Sequence, residues 1–373
     1  MMIQKILRDT LIEVDLKKLS ENMRLIRDLI GPDTAITAVV KANAYGHGAV
    51  GVAQTLMESG ADYLSVATLS EAVEIKEVYP DYPVFIMGHT PDKYLSPIVD
   101  LDIAATIFSL HQAQVLNELA AKADKKAKVH IKLDTGFHRL GLDAKDPEHT
   151  TEIIREIVAL PHIAVEGLFS HLALVNDEEN EKQYALFTDI AEQLRTEGIT
   201  FRYYHLADSI ATVDEPKFRL NMVRVGALIY GMRGFHKGFV PVEQVLTFKA
   251  AVSQLHYIRS GEGVSYDYLW KAPRDSVIAT LPFGYADGYP RNLRDKGYVT
   301  IRGIKCPLVG VLCMDQVMAD VTEVADIAEG EFATIYGDGE NEMTIQEASA
   351  LAGTNKNDIL ARLSQRPVRV YLK

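Results

Sequence analysis

Cysteine is scarce in this chain, which contains only Cys306 and Cys313 among its 373 residues. Two thiols cannot build a disulfide framework in so long a chain, and the pair lacks the close spacing of a zinc site. The first residues contain no extended apolar stretch, and no run elsewhere is long enough to span a bilayer. These absences argue against a disulfide-stapled secreted domain and against a membrane protein. We therefore expect a cytoplasmic protein with reduced thiols.

An excess of positive charge is also absent. The chain has 51 acidic and 39 basic residues, which gives a net charge of −12. This balance argues against nucleic acid or an anionic membrane as a partner, although it leaves room for a local positive pocket that binds a small anion. The apolar fraction of 47% and the charged fraction of 24% are ordinary for a globular protein. A chain of this length is longer than one hydrophobic core usually accommodates, so two domains are expected.

The first two-thirds of the sequence alternates short apolar runs with segments of helical periodicity. Eight runs predict strands, at residues 36–40, 63–67, 84–87, 103–107, 129–133, 164–168, 201–204 and 222–225. Between them, patterns such as Leu19, Met23, Ile26 and Ile30 place apolar side chains on one helix face. Eight strands with intervening helices over about 200 residues favour a (β/α)8 TIM barrel over a doubly wound open sheet.

After about residue 245 the pattern becomes rich in β segments separated by Gly and Pro. The predicted strands are 250–258, 276–281, 298–302, 308–312 and 332–336, followed by a helix near 344–352 and a strand at 368–372. We therefore expect an α/β barrel domain over residues 1–245 and a mainly β domain over residues 246–373. The sequence leaves open whether the extended segment 3–14 packs with the second domain.

Lys41 follows directly on an apolar, β-branched strand and precedes Tyr45 and His47. An ammonium group in an apolar setting costs several kcal/mol or loses its proton. A desolvated lysine is the nucleophile that forms imines with carbonyl substrates and with pyridoxal phosphate. A lysine at a strand end more often simply reaches solvent, so this residue needs support from the rest of the chain.

Polar side chains also follow four of the other predicted barrel strands. Lys132 and Arg139 end or follow the fifth strand, His171 the sixth, Ser209 the seventh, and Arg224 ends the eighth. Catalytic side chains of such barrels come from the carboxyl ends of several strands, and phosphate sites commonly follow the last two. The sequence therefore predicts a single site at this end of the barrel.

Residues 38–48 (AVVKANAYGHG) resemble the cofactor-lysine motif of the alanine racemases. Further matching motifs lie at 132–141 (KLDTGFHRLG), 221–224 (NMVR), 264–266 (VSY), 284–291 (GYADGYPR) and 313–316 (CMDQ). The resemblance covers the whole chain. It implies an isomerase that interconverts L- and D-alanine with pyridoxal 5'-phosphate, either to supply D-alanine for peptidoglycan precursors or for alanine catabolism.

The resemblance also implies the roles of the reacting groups. Lys41 holds the cofactor as an internal aldimine and then acts as a base on one face of the substrate Cα, while Tyr266 is the base on the other face. Because an unperturbed phenol has a pKa of about 10, such a base needs neighbours that favour its deprotonation, and His171 is the predicted hydrogen-bond partner. Arg224 faces the pyridine nitrogen and leaves it unprotonated, since a guanidinium holds its protons tightly.

Binding residues follow from the same resemblance. The cofactor-binding set comprises Lys41, Tyr45, His171, His205, Ser209, Arg224, Gly226 and Ala227. The substrate-binding set comprises Arg139, Tyr285 and Met314, and no metal is expected. Lys132 is a candidate for carbamylation, because a carbamate attracts and orients Arg139 whereas an ammonium repels it. Tyr266, Tyr285 and Met314 come from the second subunit of the implied homodimer, so its two active sites are shared.

Four positions depart from the family pattern, namely Asp208, Val225, Asp267 and Gln365, and two of them concern the cofactor phosphate and the substrate. Asp208 stands where Asn is usual, and its carboxylate near the phosphate adds repulsion unless it is turned away or protonated. Gln365 stands where a tyrosine is usual, and a shorter side chain opens space, so we hypothesise that serine or another small amino acid is accepted.

Two other function classes fit parts of the pattern. A fold-related pyridoxal-phosphate decarboxylase would place a carboxylate where Arg224 stands. A non-catalytic pyridoxal-phosphate carrier would need neither the β domain nor Tyr266.

Overall fold

The structure, a computed structural model, describes residues 8–373, which contain twenty strands and eleven α-helices. The strands are β1 (Thr10–Asp15), β2 (Ala35–Val39), β3 (Tyr63–Val66), β4 (Val84–Ile86), β5 (Ala104–Ile107), β6 (Ala127–Asp134), β7 (Leu142–Asp143), β8 (Ile163–Phe169), β9 (Tyr203–His205), β10 (Met222–Val225), β11 (Leu246–Ala251), β12 (Gln254–Ile258), β13 (Gly263–Val264), β14 (Trp270–Lys271), β15 (Ser276–Leu281), β16 (Tyr298–Ile301), β17 (Ile304–Val309), β18 (Val317–Asp320), β19 (Phe332–Tyr336) and β20 (Val368–Leu372). The helices are α1 (Leu16–Ile30), α2 (Lys41–Tyr45), α3 (Ala49–Glu58), α4 (Leu69–Val78), α5 (Ser96–Asp100), α6 (Leu110–Lys122), α7 (Pro147–Val158), α8 (Asp177–Thr196), α9 (Ser209–Asp214), α10 (Ile345–Ala352) and α11 (Lys356–Ala361). None of these helices combines the length and the apolar character that crossing a bilayer requires.

Eight parallel strands close into a barrel. Their order is β2, β3, β4, β5, β6, β8, β9 and β10, and the pairing of β10 with β2 completes the ring. The predicted TIM barrel is therefore confirmed, and each predicted strand differs from the observed one by at most two residues at either end. Continuous apolar runs mark these strands because a parallel strand inside a barrel is buried on both faces.

The first helix shows how the barrel helices are specified. The Asp15 carboxylate accepts hydrogen bonds from the amides of Lys17 and Lys18 and so caps the amino end of α1. Leu19 and Ile26, which the spacing places on one face, are fully buried. The capping residue and the apolar stripe therefore fix the start and the orientation of this helix.

The second large sheet has nine strands in the order β12, β15, β18, β17, β16, β19, β11, β1 and β20. Strand β1 pairs antiparallel with β11 and parallel with β20, so this early segment lies in the C-terminal sheet. Residues 3–7 of the predicted extended segment lie outside the described residues. The predicted single strand 250–258 is wrong, because the chain changes partner after Ala251, from β19 to β15, and forms two strands.

Strand β20 also contacts the barrel rim next to Lys41. The Arg369 guanidinium is buried and donates to the Gly46 carbonyl at 3.0 and 3.1 Å. The Tyr371 hydroxyl donates to the His47 carbonyl at 3.2 Å. The end of the chain thus holds the loop that follows Lys41.

Candidate active site

A cavity of about 390 Å³ lies at the carboxyl end of the barrel. Its lining includes nine of the residues predicted from the sequence, namely Lys41, Tyr45, Lys132, Arg139, His171, Ser209, Arg224, Gly226 and Ala227. His205 lies immediately behind them, fully buried and hydrogen-bonded to Arg224. The folded barrel therefore gathers residues from five strand ends into one site.

The backbone that follows Lys41 is left-handed. Ala42, Asn43, Ala44 and Tyr45 all have φ between 51° and 54°, a conformation that costs roughly 1–2 kcal/mol per non-glycine residue. The Glu71 carboxylate accepts the Ala42 amide at 2.7 Å, which ties this turn to the start of α4. Glu71 also forms the capping box of α4 with Thr68, and nothing in the sequence signals its bond to the Lys41 turn.

The Lys41 amine is held in a setting that favours its neutral form. Burial lowers the pKa of Lys41, and the nearby guanidinium groups of Arg139 and Arg224 lower it further, while Glu71 and Asp208 oppose the shift. A neutral amine is the form that attacks a carbonyl carbon. The environment therefore suits a nucleophilic lysine.

Arg224 is a buried guanidinium that contacts only neutral acceptors. Its Nη1 donates to the Nδ1 and the carbonyl of His205, both at 3.0 Å. Its Nη2 donates to the Ser170 and Leu206 carbonyls at 2.8 and 2.9 Å, and to His171 Nδ1 at 3.1 Å. Burial lowers the pKa of Arg224 to about 10, so the group keeps its charge at neutral pH.

His171 and His205 are neutral as a result. An arginine can only donate hydrogen bonds, so the Nδ1 atom of each ring must be an unprotonated acceptor. Burial first, and then the charge of Arg224, lowers the pKa of His171 to about 2 and that of His205 well below its ordinary range. The observed partner of His171 within the described chain is Arg224, whereas the predicted partner was Tyr266.

An anion-binding corner lies beside Tyr45. A Cβ atom at Gly226 would stand only 2.6 Å from the Tyr45 hydroxyl, so this position needs glycine. The Ser209 hydroxyl accepts the Gly226 amide at 3.0 Å, and burial raises the pKa of Tyr45, which keeps its phenol protonated. Two hydroxyl groups and a backbone amide therefore converge where a phosphate group fits.

Asp208 borders the same corner, but its carboxylate is engaged by the helix that follows. It accepts the Ile210 and Ala211 amides, each at 3.0 Å, so Asp208 rather than Ser209 caps α9. Burial raises the pKa of Asp208 despite these two hydrogen bonds. Capping therefore leaves the Ser209 hydroxyl available to the cavity.

Lys132 is the second lysine of the cavity and is only 5% exposed. Its Nζ lies 4.4 Å from the centre of the Phe169 ring. Burial, followed by the charges of Arg224 and Arg139, lowers the pKa of Lys132 to about 7. A substantial fraction of this amine is therefore neutral at physiological pH.

Tyr266, Tyr285 and Met314 are not part of this cavity within the described chain. They lie on the β domain, where Tyr266 is 67% and Met314 53% exposed. The Cys313 carbonyl accepts the Tyr285 amide at 3.3 Å, and the Ser265 hydroxyl donates to the Val311 carbonyl at 2.9 Å, so the three loops are bonded together. Gln365 is also exposed and does not line the cavity, whereas Asn357 of α11 does.

The chain matches two family models along almost its whole length. Residues 14–234 match "Alanine racemase, N-terminal domain" and residues 245–371 match "Alanine racemase, C-terminal domain". An alanine racemase from Methanococcus maripaludis is 35% identical over 367 residues, which span 96% of this chain and 98% of the relative.

Solved structures agree with this match. An alanine racemase structure from Clostridium difficile superposes with a TM-score of 0.94 at 33% identity, covering 99% of this chain and 97% of the other. One from Bartonella henselae, with covalently bound pyridoxal phosphate, gives a TM-score of 0.85 at 28% identity and covers 98% and 99%. The resemblance drawn from the motifs is confirmed, and this chain belongs to the alanine racemase family.

Proposed function

We propose that this protein is a pyridoxal-phosphate-dependent alanine racemase that works as a homodimer. The observation that carries the proposal is the pairing of a lysine favoured in its neutral form with a buried Arg224 that has no directly bonded carboxylate within the described chain. A fold-related decarboxylase would need an acidic group where this guanidinium lies. Free Cys306 and Cys313 fit a reducing, cytoplasmic location.

The cavity residues fit the cofactor. Tyr45, Ser209, Gly226 and Ala227 would hold its phosphate, Arg224 would donate to its ring nitrogen, and Lys41 would bind it covalently. When bound, pyridoxal phosphate acts as an electron sink that acidifies the Cα hydrogen of an amino acid. Because Arg224 has a pKa of about 10, it donates a hydrogen bond without giving up its proton near neutral pH.

This chain's own residues would then move the proton. Lys41 takes or returns it on one face of Cα, and Tyr266 does so on the other. Arg139 and the backbone of Met314 bind the substrate carboxylate, and Tyr285 borders the substrate. Because Tyr266 stands outside the Lys41 cavity of its own chain, we assign the second base to the partner subunit, whose β domain, residues 246–373, completes the site on the barrel formed by β2 to β10.

Subunit complementation tests this shared site. The Lys41→Ala and Tyr266→Phe homodimers should both be nearly inactive, whereas a mixed dimer contains one site with both groups intact. Mixing the two variants under exchange conditions should therefore restore activity. If mixed dimers form but remain inactive, the two bases belong to one chain and the shared-site assignment is wrong.

The reaction itself is tested by incubating the holoprotein with L-alanine and separating the products by chiral chromatography. We expect D-alanine to appear without release of carbon dioxide. Borohydride reduction should fix the cofactor label on the peptide that contains Lys41. A label on another peptide, or carbon dioxide without D-alanine, would contradict the proposal.

We also propose that Lys132 carries a carbamate, formed when its neutral amine attacks carbon dioxide and loses one proton. The added negative charge would lie among Lys132's cationic neighbours, Arg139 and Arg224. Labelled bicarbonate should give a carbamate carbon-13 resonance that disappears in Lys132→Met. A resonance that is absent from the wild type, or unchanged in the variant, would remove this assignment.

Serine is the alternative substrate, because Gln365 stands where the family usually has a tyrosine and its shorter side chain leaves an opening, although Gln365 is exposed and does not line the cavity of its own chain. If this opening matters, Gln365→Tyr should lower turnover of L-serine relative to L-alanine by about tenfold, a typical effect of pocket size. The alternative would be excluded by two results together: L-serine turns over at less than about one-hundredth of the rate of L-alanine, and Gln365→Tyr does not change the serine rate.

A further inference from the structure

A line of polar side chains runs from the cavity through the interior of the barrel. Arg224 Nη1 lies 3.0 Å from His205 Nδ1, and His205 Nε2 lies 2.9 Å from His130 Nδ1. His130 Nε2 lies 3.9 Å from the Glu166 carboxylate, which also accepts a hydrogen bond from the Tyr63 hydroxyl. Both histidines are fully buried, so water does not compete for these contacts.

The hydrogen bonds of this line all run in one direction, with Arg224 as the donor at one end. Because Arg224 only donates, His205 Nδ1 accepts and its proton sits on Nε2. His205 Nε2 must then donate to His130 Nδ1, which leaves the His130 proton on Nε2. That Nε2 has no hydrogen-bond partner within residues 8–373, and it faces the Glu166 carboxylate. The N–H group of each imidazole ring therefore points away from the cavity and toward Glu166.

Glu166 supplies a further carboxylate for the buried charge of Arg224, in addition to Asp208, which opposes the lowering of the Arg224 pKa. A buried charge is costly unless an opposite charge compensates it, and the direct partners of Arg224 are neutral. The Glu166 side chain is 17% exposed. Arg202 lies over the neighbouring Tyr203 ring but makes no ion pair with Glu166 in the described chain. The carboxylate acts on His130 Nε2 through space over 3.9 Å, and the hydrogen bonds between His130, His205 and Arg224, which polarise one another, carry this effect to the guanidinium.

We propose that Glu166 is a positioning residue that acts on Arg224 through His130 and His205. Its carboxylate faces His130 Nε2 and acts together with Arg224, at the other end of the line, to keep both rings in the tautomer that accepts from the arginine side. In the other tautomer His205 would present an N–H group to Arg224, and two donors would face each other. Glu166 thus holds the Arg224 guanidinium in place as a hydrogen-bond donor. The effect of Glu166 on catalysis rests on the function proposed above.

Nitrogen-15 spectra of histidine-labelled full-length protein test the first step without cofactor or substrate. In the wild type, His130 and His205 should each show a protonated Nε2 and an unprotonated Nδ1. Glu166→Gln, whose amide can donate or accept, should give mixed tautomers at both rings. Glu152→Gln, on the exposed face of α7 beside His149, is the matched control and should leave the His130 and His205 signals unchanged. Unchanged tautomers in Glu166→Gln would overturn the proposal.

A double-mutant cycle with Arg224→Lys tests the second step. Glu166→Gln should lower kcat about tenfold, the smaller end of what losing a supporting hydrogen-bond partner costs, with KM nearly unchanged and a shifted absorbance of the bound cofactor. In the Arg224→Lys background, Glu166→Gln should cause no further loss. If Glu166→Gln still lowers kcat in the Arg224→Lys background, Glu166 is only structural. The same holds if the fall in kcat parallels a fall in thermal stability and the cofactor absorbance does not change. A wild type without racemase activity would overturn the proposed function, and the histidine spectra would still decide the role of Glu166.

Discussion

Left-handed backbone occurs both in the turn after Lys41 and in the loop 265–268 around Tyr266, but the surroundings differ. Ala42 has φ 51° in a turn that Glu71 and Arg369 hold in place. Ser265 and Asp267 have φ of 65° and 59° beside the exposed Tyr266. The Lys41 turn is therefore packed within one chain, whereas the Tyr266 loop is exposed in the described chain. This difference is what the shared active site proposed above would require of its lysine half and its tyrosine half.

Replacing Lys41 in the lysine half of the site should cause the largest loss of activity. Lys41→Ala deletes both the cofactor attachment and one proton-transfer group, so we expect racemisation to fall by at least about 10⁴-fold, the upper range for loss of one such group. The absorbance of covalently held cofactor should vanish as well. Lys128→Ala, which removes an exposed lysine paired with Asp102, is the control and should behave as the wild type. Retained absorbance in Lys41→Ala would show that another lysine holds the cofactor.

Removing the phenol should have a smaller and one-sided effect. Tyr266→Phe should slow racemisation by about 10²–10⁴-fold, the usual contribution of a general acid or base. Lys41 remains, so one enantiomer should still exchange its Cα hydrogen with deuterated solvent while the other does not, as followed by proton NMR. Tyr268→Phe alters the neighbouring exposed tyrosine and should change neither measurement. Equal, small losses for both enantiomers would argue against two bases.

The lysine half of the site also contains Lys132, whose lowered pKa should make the stability of the protein depend on pH. Its pKa of about 7 lies below the ordinary value of 10.5, so between these two pH values the unfolded chain binds more protons. The free energy of unfolding should therefore rise with pH in this window, by at most about 1.4 kcal/mol per pH unit. Urea unfolding in carbon-dioxide-free buffer should show this rise in the wild type and a weaker one in Lys132→Met. Equal slopes in the two proteins would contradict the assignment.

The two halves also differ in how far the sequence predicts them. Buried parallel strands are continuous apolar runs, so all eight barrel strands and the position of Lys41 at the rim are predictable. The left-handed turn is not, because Ala and Tyr have no local preference for it and distant groups such as Glu71 impose it. The line from Arg224 to Glu166 also depends on barrel closure, which joins residues that are far apart in the chain.

The smallest expected effect concerns the strained turn itself. Ala42 is exposed, so Ala42→Gly removes no packing and relieves a conformation that costs roughly 1–2 kcal/mol, partly offset by the extra freedom of the unfolded chain. We expect the free energy of unfolding to rise by about 0.5–1 kcal/mol, measured by urea titration. Ala121→Gly, at an exposed position of right-handed α6, should lower it by about 1 kcal/mol. If both variants lose stability equally, Ala42 carries no strain, and the Lys41 turn is an ordinary stretch of backbone rather than one held in place by Glu71 and the C-terminal strand.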